Sequence, residues 1–331
     1  MVNPDSGAII SAQPRHPRAL AEHICSGTFG ANAQSDIAVI PNSRHLMFRV
    51  QTGDNQYALK VICGEHAAWH AEILARKLLA DPAVPRIAFS GQHNENVDYA
   101  FIEWVDGRSL AELLVEPNHP TAPIAFARAG DLLAQIHSLE KPGDNHNMTQ
   151  APKAARYFGA PDFFDYFEPH LRIISDRFGR ELALLIQDAL RPIATSVEAH
   201  QRLAITHGDL QPKNLIVSKL RDGLNLIDWE FISFAPMWAD LSQLLRHSPN
   251  SQVEGELEAG YSSVRPMPIN WRVFARAYDL ARICVGLSRP ALGGSDGGSD
   301  IRNWVRFVRD LVRSVKGGGM HATYDSASFL R

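Results

Sequence analysis

Alternating hydrophobic and polar positions predict an antiparallel sheet in about the first hundred residues. Leu46, Phe48 and Val50 fall on one face of a strand, because successive side chains of a strand point to opposite faces. Gly53 to Asn55 supplies a turn, and another hydrophobic run follows it. Strands are predicted over residues 36–40, 46–51, 57–62, 87–90 and 99–103.

Beyond residue 105 the hydrophobic spacing is mostly that of helices. Ala129, Leu132, Leu133 and Ile136 recur three and four residues apart, which places them on one helix face. Ser109 is suited to cap a short helix, because its oxygen can accept hydrogen bonds from the first turn. The pattern therefore predicts an α+β chain whose smaller first part carries the sheet. Helices are predicted over 67–79, 109–115, from 121 onward, 271–287 and 301–315.

Two short hydrophobic runs, 215–217 and 224–227, flank the dipeptide Asp222-Gly223. This dipeptide is a strong signal for a β-hairpin, so the two runs should pair as antiparallel strands. Asn214 and Asp228 lie equally far from the middle of that hairpin. Antiparallel pairing is therefore expected to bring their side chains together at its open end.

A third oxygen-bearing side chain, that of Asp209, lies one loop earlier between a glycine and a proline. We expect it to face the same point as Asn214 and Asp228. Two carboxylates and an amide oxygen suit a hard cation such as Mg²⁺, which keeps some of its waters and binds a phosphate. The sequence therefore predicts a magnesium and phosphate site built from these three residues.

The segments His207-Gly208-Asp209, Asn214 and Ile227-Asp228-Trp229 resemble the catalytic and metal-binding loops of the aminoglycoside phosphotransferase and choline kinase-like enzymes. These enzymes are small-molecule relatives of the protein kinases. The joint spacing is specific, since average residue frequencies would produce it in roughly one chain in ten thousand of this length. The chain is therefore similar to a small-molecule kinase.

This resemblance implies a bilobal, protein kinase-like fold. A small N-lobe, residues 1–105, would begin with a loose N-terminus and bind nucleotide with a five-stranded antiparallel sheet and one main helix. A larger and mostly helical C-lobe, residues 106–315, would carry the catalytic and metal loops and the acceptor site. Residues 316–331 would be a disordered tail. Asp240 resembles the aspartate that braces the catalytic loop from a helix start.

The resemblance also implies roles for individual side chains. Asp209 would be catalytic and would receive a hydrogen bond from the acceptor hydroxyl. Asn214 and Asp228 would hold Mg²⁺. Lys60 would bind the phosphates of ATP, and Glu72, on the helix that follows, would be the carboxylate that holds this lysine.

A site for the adenine base is implied in the same way. Ala58 shares a strand face with Lys60, where a small side chain leaves room for the base. Residues 102–105 resemble the hinge of these kinases, whose backbone groups meet the adenine edge. ATP is the expected phosphoryl donor, and GTP is not excluded. The residues assigned to this site are Ala58, Ile102, Glu103, Val105, Ile216 and Ile227.

The loop that covers the phosphates in this family joins the first two strands. Here the loop over residues 41–45 has no glycine, so backbone N–H groups together with Ser43 or Arg44 would have to take that role. Gly27 and Gly30 are the alternative. No Walker-type GxxxxGK[ST] motif occurs in the sequence.

Residues 151–200 correspond to the region that usually helps to build the acceptor site in such enzymes. Six aromatic residues crowd into it, and they suit either a hydrophobic core or a substrate wall. The segment holds seven acidic and six basic residues, a balance that does not favour a polycationic sugar. The aromatic residues are Tyr157, Phe158, Phe163, Phe164, Tyr166 and Phe167.

Composition excludes several classes of protein. The net charge of −3 does not fit a nucleic-acid-binding protein. Three distant cysteines, Cys25, Cys63 and Cys284, fit neither a disulfide framework nor a cysteine-based zinc site, and they indicate a reducing compartment. No run of eighteen apolar residues occurs, so a membrane span is not expected. We expect a cytoplasmic protein.

Departures from the protein kinases favour a small acceptor. His-Gly-Asp stands where protein kinases have His-Arg-Asp, Gln211 stands where they have a lysine near the γ-phosphate, and no Ala-Pro-Glu follows. The main hypothesis is an ATP-dependent O-phosphotransferase whose acceptor is an antibiotic of aminoglycoside, nucleoside, macrolide or peptide type. The alternatives are a primary-metabolite kinase, of choline, homoserine or sugar type, and a catalytically inactive kinase-fold binding protein. The sequence indicates no protein partner.

Overall fold

The predicted sheet is present in the computed structural model of the chain as five antiparallel strands in the order β1-β2-β3-β5-β4. Their bounds are β1 Ser35–Ile40, β2 Leu46–Thr52, β3 Asn55–Cys63, β4 Ile87–Asn94 and β5 Val97–Glu103. The structure describes residues 16–30, 35–41, 45–64, 66–79, 83–116, 119–139, 158, 162–196, 203–218, 223–288 and 298–317.

Helices cover both faces of this sheet. Helix α1, Pro17–Phe29, packs on the face that carries Leu59 and Val61. Helix α2, His66–Leu78, packs on the opposite face with Ile62. The central strand β3 is therefore buried on both sides, and its residues from Leu59 to Ile62 are all buried, Lys60 included.

Helix α1 was missed in the sequence analysis, which expected one main helix beside the sheet. The sequence pattern of this helix is short. Ile24 and Cys25 follow Ala21 by three and four residues, as on one face of a helix, and all three are buried. Pro17 occupies the first turn, where a proline N–H is not needed. Residues 1–15 of the expected loose N-terminus lie outside the described residues.

Contacts within the chain divide it into two units, Met1–Asp106 and Gly107–Arg331. The second unit is mostly helical. Its helices are α3 Leu110–Leu114, α4 Thr121–Ile136, α5 Phe163–Phe178, α6 Arg180–Ala194, α7 Trp238–His247, α8 Ser251–Val264, α9 Trp271–Leu287 and α10 Gly298–Lys316. Among the described residues, no helix combines the length and the apolar character that a membrane span requires.

Short strands of the second unit form two small sheets. One has the order β6-β8-β9 and the other pairs β7 with β10. Their bounds are β6 Gly107–Ser109, β7 Leu203–Thr206, β8 Leu215–Ser218, β9 Leu224–Leu226 and β10 Ser233–Pro236. Strands β8 and β9 are the antiparallel pair predicted from the sequence, and the turn at 219–222 lies outside the described residues.

Ser109 caps helix α3 as predicted. The backbone N–H of Glu112 donates to the hydroxyl of Ser109 over 3.2 Å, and the N–H of Ser109 donates to the carboxylate of Glu112 over 2.9 Å. This reciprocal pair is a capping box, which satisfies two N–H groups at the helix start.

Helices α4 and α8 approach each other closely enough to require glycine. A Cβ on Gly260 would overlap the backbone carbonyl of Ala127, and a Cβ on Gly130 would overlap that of Leu257. Rigid backbone cannot yield to such an overlap without separating the helices. The two glycines therefore set the distance between α4 and α8.

Replacing Gly260 with alanine is expected to lower the free energy of unfolding by about 2–3 kcal/mol, because the new methyl group forces the two helices apart. Urea denaturation followed by tryptophan fluorescence would measure this loss. Gly255→Ala, in the same helix, is the matched control, because a Cβ there meets nothing within 4 Å. It should stabilise the chain by about 0.5–1 kcal/mol. Equal effects at both positions would contradict the close approach.

Candidate active site

Lys60 and Glu72 form a buried ion pair in the first unit. The Nζ of Lys60 donates to Oε2 of Glu72 over 3.0 Å, and the side chains are 3% and 0% exposed. The pairing predicted from the sequence is confirmed. Period-two alternation puts Lys60 and Ala58 on the sheet face that α2 covers, and Glu72 lies one helical turn from Trp69 on that helix.

A second cation, Arg76, shares the carboxylate of Glu72. Its Nη1 donates to Oε1 of Glu72 over 2.5 Å, and its Nε donates to the carbonyl oxygen of Pro85 over 2.8 Å. Burial raises the pKa of Glu72, but the charges and hydrogen bonds of Lys60 and Arg76 outweigh burial and lower that pKa. Arg76 was not predicted, although its i,i+4 spacing from Glu72 indicates that the two side chains can meet on one helix face.

Replacing Glu72 with glutamine is expected to cost about 3 kcal/mol of unfolding free energy, because two buried cations lose their shared anion. The pKa of Glu72 is lower in the folded chain than its unfolded value of about 4.3. Its ionisation therefore stabilises the fold fully above the unfolded pKa, and this contribution disappears as the pH falls towards the folded pKa. The stability gap between wild type and variant should be widest at neutral pH and should shrink below about pH 4.

Urea denaturation at several pH values would measure that gap. Glu22→Gln is the control, because Glu22 forms an exposed pair with Arg18. Such pairs contribute about 0.5 kcal/mol or less. A gap for the Glu72 variant that stays constant down to pH 3 would contradict the shared-carboxylate arrangement.

The predicted hinge lies at the end of β5. The N–H of Glu103 donates to the carbonyl of Arg86 over 2.9 Å, and the N–H of Trp104 donates to the carbonyl of Gln56 over 3.1 Å. The Val105 N–H makes no backbone hydrogen bond within the described part of the chain. The N–H of Glu103 is thus already bonded, whereas the N–H of Val105 is available as a donor to a purine edge. Contact of the Glu103 and Val105 backbone with nucleotide stays a prediction. Ile102 is 7% exposed and packs beside Ala58.

The phosphate-covering loop predicted at Ser43 or Arg44 falls outside the described residues. The alternative placed that loop at Gly27 and Gly30. Gly27 lies inside α1, and Gly30 ends this helix with a φ of 96°. The two glycines therefore form a helix end, and the alternative is wrong.

In the second unit, strand β7 leads into the loop that carries His207, Gly208 and Asp209. Gly208 has a φ of 82°, a conformation that L side chains rarely adopt. A Cβ at this position would also overlap the backbone carbonyl of Phe231. The glycine of the motif is thus required by the path of the loop.

The buried carboxylate of Asp240, in the first turn of α7, braces this loop. It accepts hydrogen bonds from the N–H groups of His207 and Gly208 over 2.8 and 3.0 Å. His137 lies on its other side, with Nε2 at 3.4 Å from Asp240 and Nδ1 at 3.2 Å from the hydroxyl of Tyr261. The bracing role predicted for Asp240 is confirmed, whereas its side chain makes no helix cap.

The carboxylate of Asp209 is held by two amide side chains of its own loop. The Nε2 of Gln211 donates to Oδ1 over 2.7 Å. The Nδ2 of Asn214 donates to the backbone carbonyl of Asp209 over 2.8 Å and lies 3.4 Å from Oδ2. Asp209 is only partly buried, so its carboxylate can still accept a hydrogen bond from a hydroxyl.

Asn214 ends a single 3₁₀ turn, Pro212–Asn214, and is 4% exposed. Because its amide nitrogen is directed to Asp209, its amide oxygen is the group that can bind a cation. An amide oxygen from Asn214 and a carboxylate from Asp228 fit a hard divalent cation.

Strands β8 and β9 pair in a register that differs by one residue from the prediction. Leu215 is opposite Leu226, and the N–H of Ile227 donates to the carbonyl of Asn214 over 3.0 Å. Asn214 therefore faces Ile227 rather than Asp228. Asp228, two residues after the end of β9, has a φ of 66°, a left-handed conformation that is uncommon for residues other than glycine. Strained backbone of this kind often marks a functional position.

His207 connects the loop of Asp209 to the residue before Asp228. The backbone N–H of Asp209 donates to Nδ1 of His207 over 3.3 Å, so the ring proton resides on Nε2. Nε2 lies 2.9 Å from the carbonyl oxygen of Ile227 and donates to it. The ring also packs against Trp229, with centroids 4.5 Å apart. The histidine of the motif thus has a structural role.

Two residues assigned to the nucleotide site, Ile216 and Ile227, are partly exposed. Ile216 lies in β8 opposite Asn225, and Ile227 follows β9. Partial exposure leaves hydrophobic surface that could meet a base. Their contact with nucleotide stays a prediction.

The aromatic segment is largely core. Phe158 packs edge-on against Tyr278 of α9, with ring centroids 5.4 Å apart. Phe164 and Tyr166 are partly exposed and are the candidates left for a substrate wall, while Tyr157 lies outside the described residues. The fully buried members pack against one another and are Phe158, Phe163 and Phe167.

The sequence also matches a known family. A family model described as a phosphotransferase enzyme family matches residues 37–272, which is well over half of the chain. The chain belongs to the phosphotransferase enzyme family. The protein is therefore a phosphotransferase. No curated protein sequence is significantly similar to it.

Solved structures of small-molecule kinases share the fold. A microcompartment-associated aminopropanol kinase is 14% identical with a TM-score of 0.61, over 92% of this chain and 99% of that protein. A thermostable mutant of aminoglycoside phosphotransferase APH(4)-Ia, in a complex with AMP-PNP and hygromycin B, is 17% identical with a TM-score of 0.62, over 89% and 99%. An aminoglycoside 2'-phosphotransferase-IIIa mutant with GDP is 11% identical with a TM-score of 0.64, over 93% and 100%. The predicted α+β, protein kinase-like fold class is confirmed.

Proposed function

We propose that this phosphotransferase moves the γ-phosphate of ATP to a hydroxyl group of a small molecule. The observation that carries the proposal is the position of Asp209. Its partly exposed carboxylate accepts a short hydrogen bond from Gln211 and a longer one from Asn214, on a loop that Asp240 braces from a buried helix start. Such an arrangement is suited to orient an acceptor hydroxyl.

Asp209 acts as the acceptor of a hydrogen bond from the substrate hydroxyl and directs its oxygen towards the γ-phosphorus. A carboxylate is a far weaker base than an alkoxide, so Asp209 does not ionise the alcohol before attack. The hydroxyl proton therefore passes to the Asp209 carboxylate late in the transfer. Positioning supplies most of the catalysis at this residue.

Asn214 and Asp228 would hold Mg²⁺ through oxygen atoms, and the ion, when bound, neutralises charge on the phosphates. Lys60 offers a further positive charge to the phosphates, and Glu72 keeps its ammonium group in place. Arg76 helps to hold Glu72. The N–H of Val105 is the backbone donor proposed for the purine edge.

The donor is proposed to be ATP, with GTP as the second candidate. Among structures of similar fold, one holds AMP-PNP and another holds GDP. The acceptor is proposed to be an antibiotic or a metabolite alcohol. Among the proteins of similar fold, one is an aminopropanol kinase and another is in a complex with hygromycin B. The balance of acidic and basic residues in 151–200 does not favour a polycationic sugar.

Two measurements test this proposal. Thermal unfolding with and without Mg²⁺ and ATP would show nucleotide binding as a rise in Tm. ADP release would then be measured with hygromycin B, spectinomycin, a nucleoside antibiotic, a macrolide, 1-amino-2-propanol, choline and homoserine as acceptors. Magnesium-dependent ADP release that requires one acceptor supports the proposal. Nucleotide binding without turnover on any acceptor would favour an inactive binding protein.

A further inference from the structure

We propose that Gln211 is a positioning residue that fixes the carboxylate of Asp209, and that it acts through this carboxylate rather than through a contact with substrate. The inference rests on the proposed function of Asp209. It concerns a residue that stands where protein kinases have a lysine. A neutral amide at this position holds the carboxylate without cancelling its charge.

The hydrogen bond from Gln211 is the shortest that the Asp209 carboxylate receives from the described residues. It spans 2.7 Å to Oδ1, whereas Asn214 lies 3.4 Å from Oδ2. A bond from an N–H donor to a charged oxygen at the shorter distance is a strong one, and the longer contact is weak. Gln211 therefore determines the rotation of the carboxylate. Oδ2, which has the weaker bond, is the oxygen left for the acceptor hydroxyl.

The path of the loop does not depend on the Gln211 side chain. The backbone N–H of Gln211 donates to the carbonyl of Asp209 over 2.9 Å, and that of Asn214 donates to the carbonyl of Gln211 over 2.8 Å. Pro212 fixes its own φ and restricts the backbone of the residue before it, Gln211, and Asp240 holds the start of the loop. All of these interactions survive a change of side chain at position 211. A substitution there tests the orientation of the carboxylate and leaves the loop in place.

Gln211→Met keeps the length of the side chain and removes its N–H groups. We expect kcat for ADP release, with Mg²⁺-ATP and the acceptor found active in the panel, to fall about 10- to 100-fold, because the carboxylate is no longer held. The KM for ATP should stay within about twofold and Tm within about 2 °C. Gln211→Glu should lose more activity, because a carboxylate would face Oδ1. Gln252→Met, an exposed position at the start of α8, is the control.

A double variant shows whether Gln211 acts through Asp209 or contacts the substrate itself. If Gln211 acts only through Asp209, adding Gln211→Met to Asp209→Asn should cause no further loss of kcat. Losses that multiply would show that Gln211 meets substrate itself and would overturn the inference. Unchanged kcat in Gln211→Met, or a rise in the KM for ATP alone, would overturn it as well.

Crystal structures of wild type and Gln211→Met give a readout that does not depend on activity. The Asp209 carboxylate should occupy one orientation in the wild type and should shift by more than about 0.5 Å, or occupy several orientations, in the variant. An unmoved carboxylate would overturn the inference. If the wild type releases no ADP with any acceptor, the proposed function fails, and the carboxylate positions still decide the role of Gln211.

Discussion

Replacing Asp209 with alanine is expected to lower kcat at least about 100-fold while ATP still binds. The variant loses the carboxylate that receives the hydroxyl hydrogen bond, and the acceptor oxygen is then no longer directed towards the γ-phosphorus. The nucleotide contacts proposed for Lys60 and Val105 belong to the first unit and are unaffected. The rise in Tm with Mg²⁺-ATP should therefore persist.

Steady-state ADP release with the active acceptor would measure the fall in kcat. Asp54→Ala removes an exposed carboxylate from the turn between β2 and β3 and should leave kcat unchanged. Near-normal turnover by the Asp209 variant would refute its role. A fall of equal size in both variants would point to a general effect of lost charge.

Asp240→Asn is expected to reduce both stability and activity. The Asp240 carboxylate is completely buried, and its two oxygens accept the N–H groups of His207 and Gly208. In the variant one oxygen becomes an NH₂ group, which must face an N–H donor or leave it unpaired. Loss of a charge-assisted bond in a buried site should cost about 2–4 kcal/mol of unfolding free energy. The loop that carries Asp209 would lose its brace, and kcat should fall about 100-fold.

Urea denaturation and ADP release would measure the two effects on the same preparation. Ser242→Ala is the control in the same helix, because Ser242 is buried and its hydroxyl, among the described residues, donates only to the carbonyl of Ala239, at 3.2 Å. It should cost no more than about 1 kcal/mol and leave kcat near the wild-type value. An Asp240 variant with normal kcat would show that the loop does not need this brace.

Local sequence patterns predicted the strands that contain or flank the residues of the candidate active site. Alternating residues located the strand of Lys60, and the Asp-Gly signal located the β8–β9 pair. Helix α1 was missed, because its three core residues make a short pattern between segments of mixed polarity. Register was predicted one residue off, because the prediction placed Asn214 and Asp228 equally far from the middle of the hairpin. The observed pairs, Leu215 with Leu226 and Val217 with Leu224, put that middle half a residue earlier in the chain.

The roles of the polar residues around Asp209 could not be predicted from the local sequence pattern. The motif itself identified Asp209 and Asn214, but it did not show that Gln211 holds the Asp209 carboxylate or that His207 reaches the carbonyl of Ile227. Arg76 was not predicted, because the predicted pair of Lys60 and Glu72 already balances in charge, whereas the Glu72 carboxylate also accepts a hydrogen bond from Arg76. A buried carboxylate commonly takes more than one donor, and a sequence does not show how many reach it.

The sequence by itself determined the secondary structure around the site and the identity of its chemical groups, because hydrophobic periodicity and turn residues act between near neighbours in the chain. Only the tertiary structure decided which partners the buried polar groups take. Asp240 reaches the N–H of His207 across 33 residues, and Lys60 meets Glu72 across 12. A buried charge must find hydrogen-bond partners wherever packing places them, and packing is set by the whole fold rather than by the local sequence.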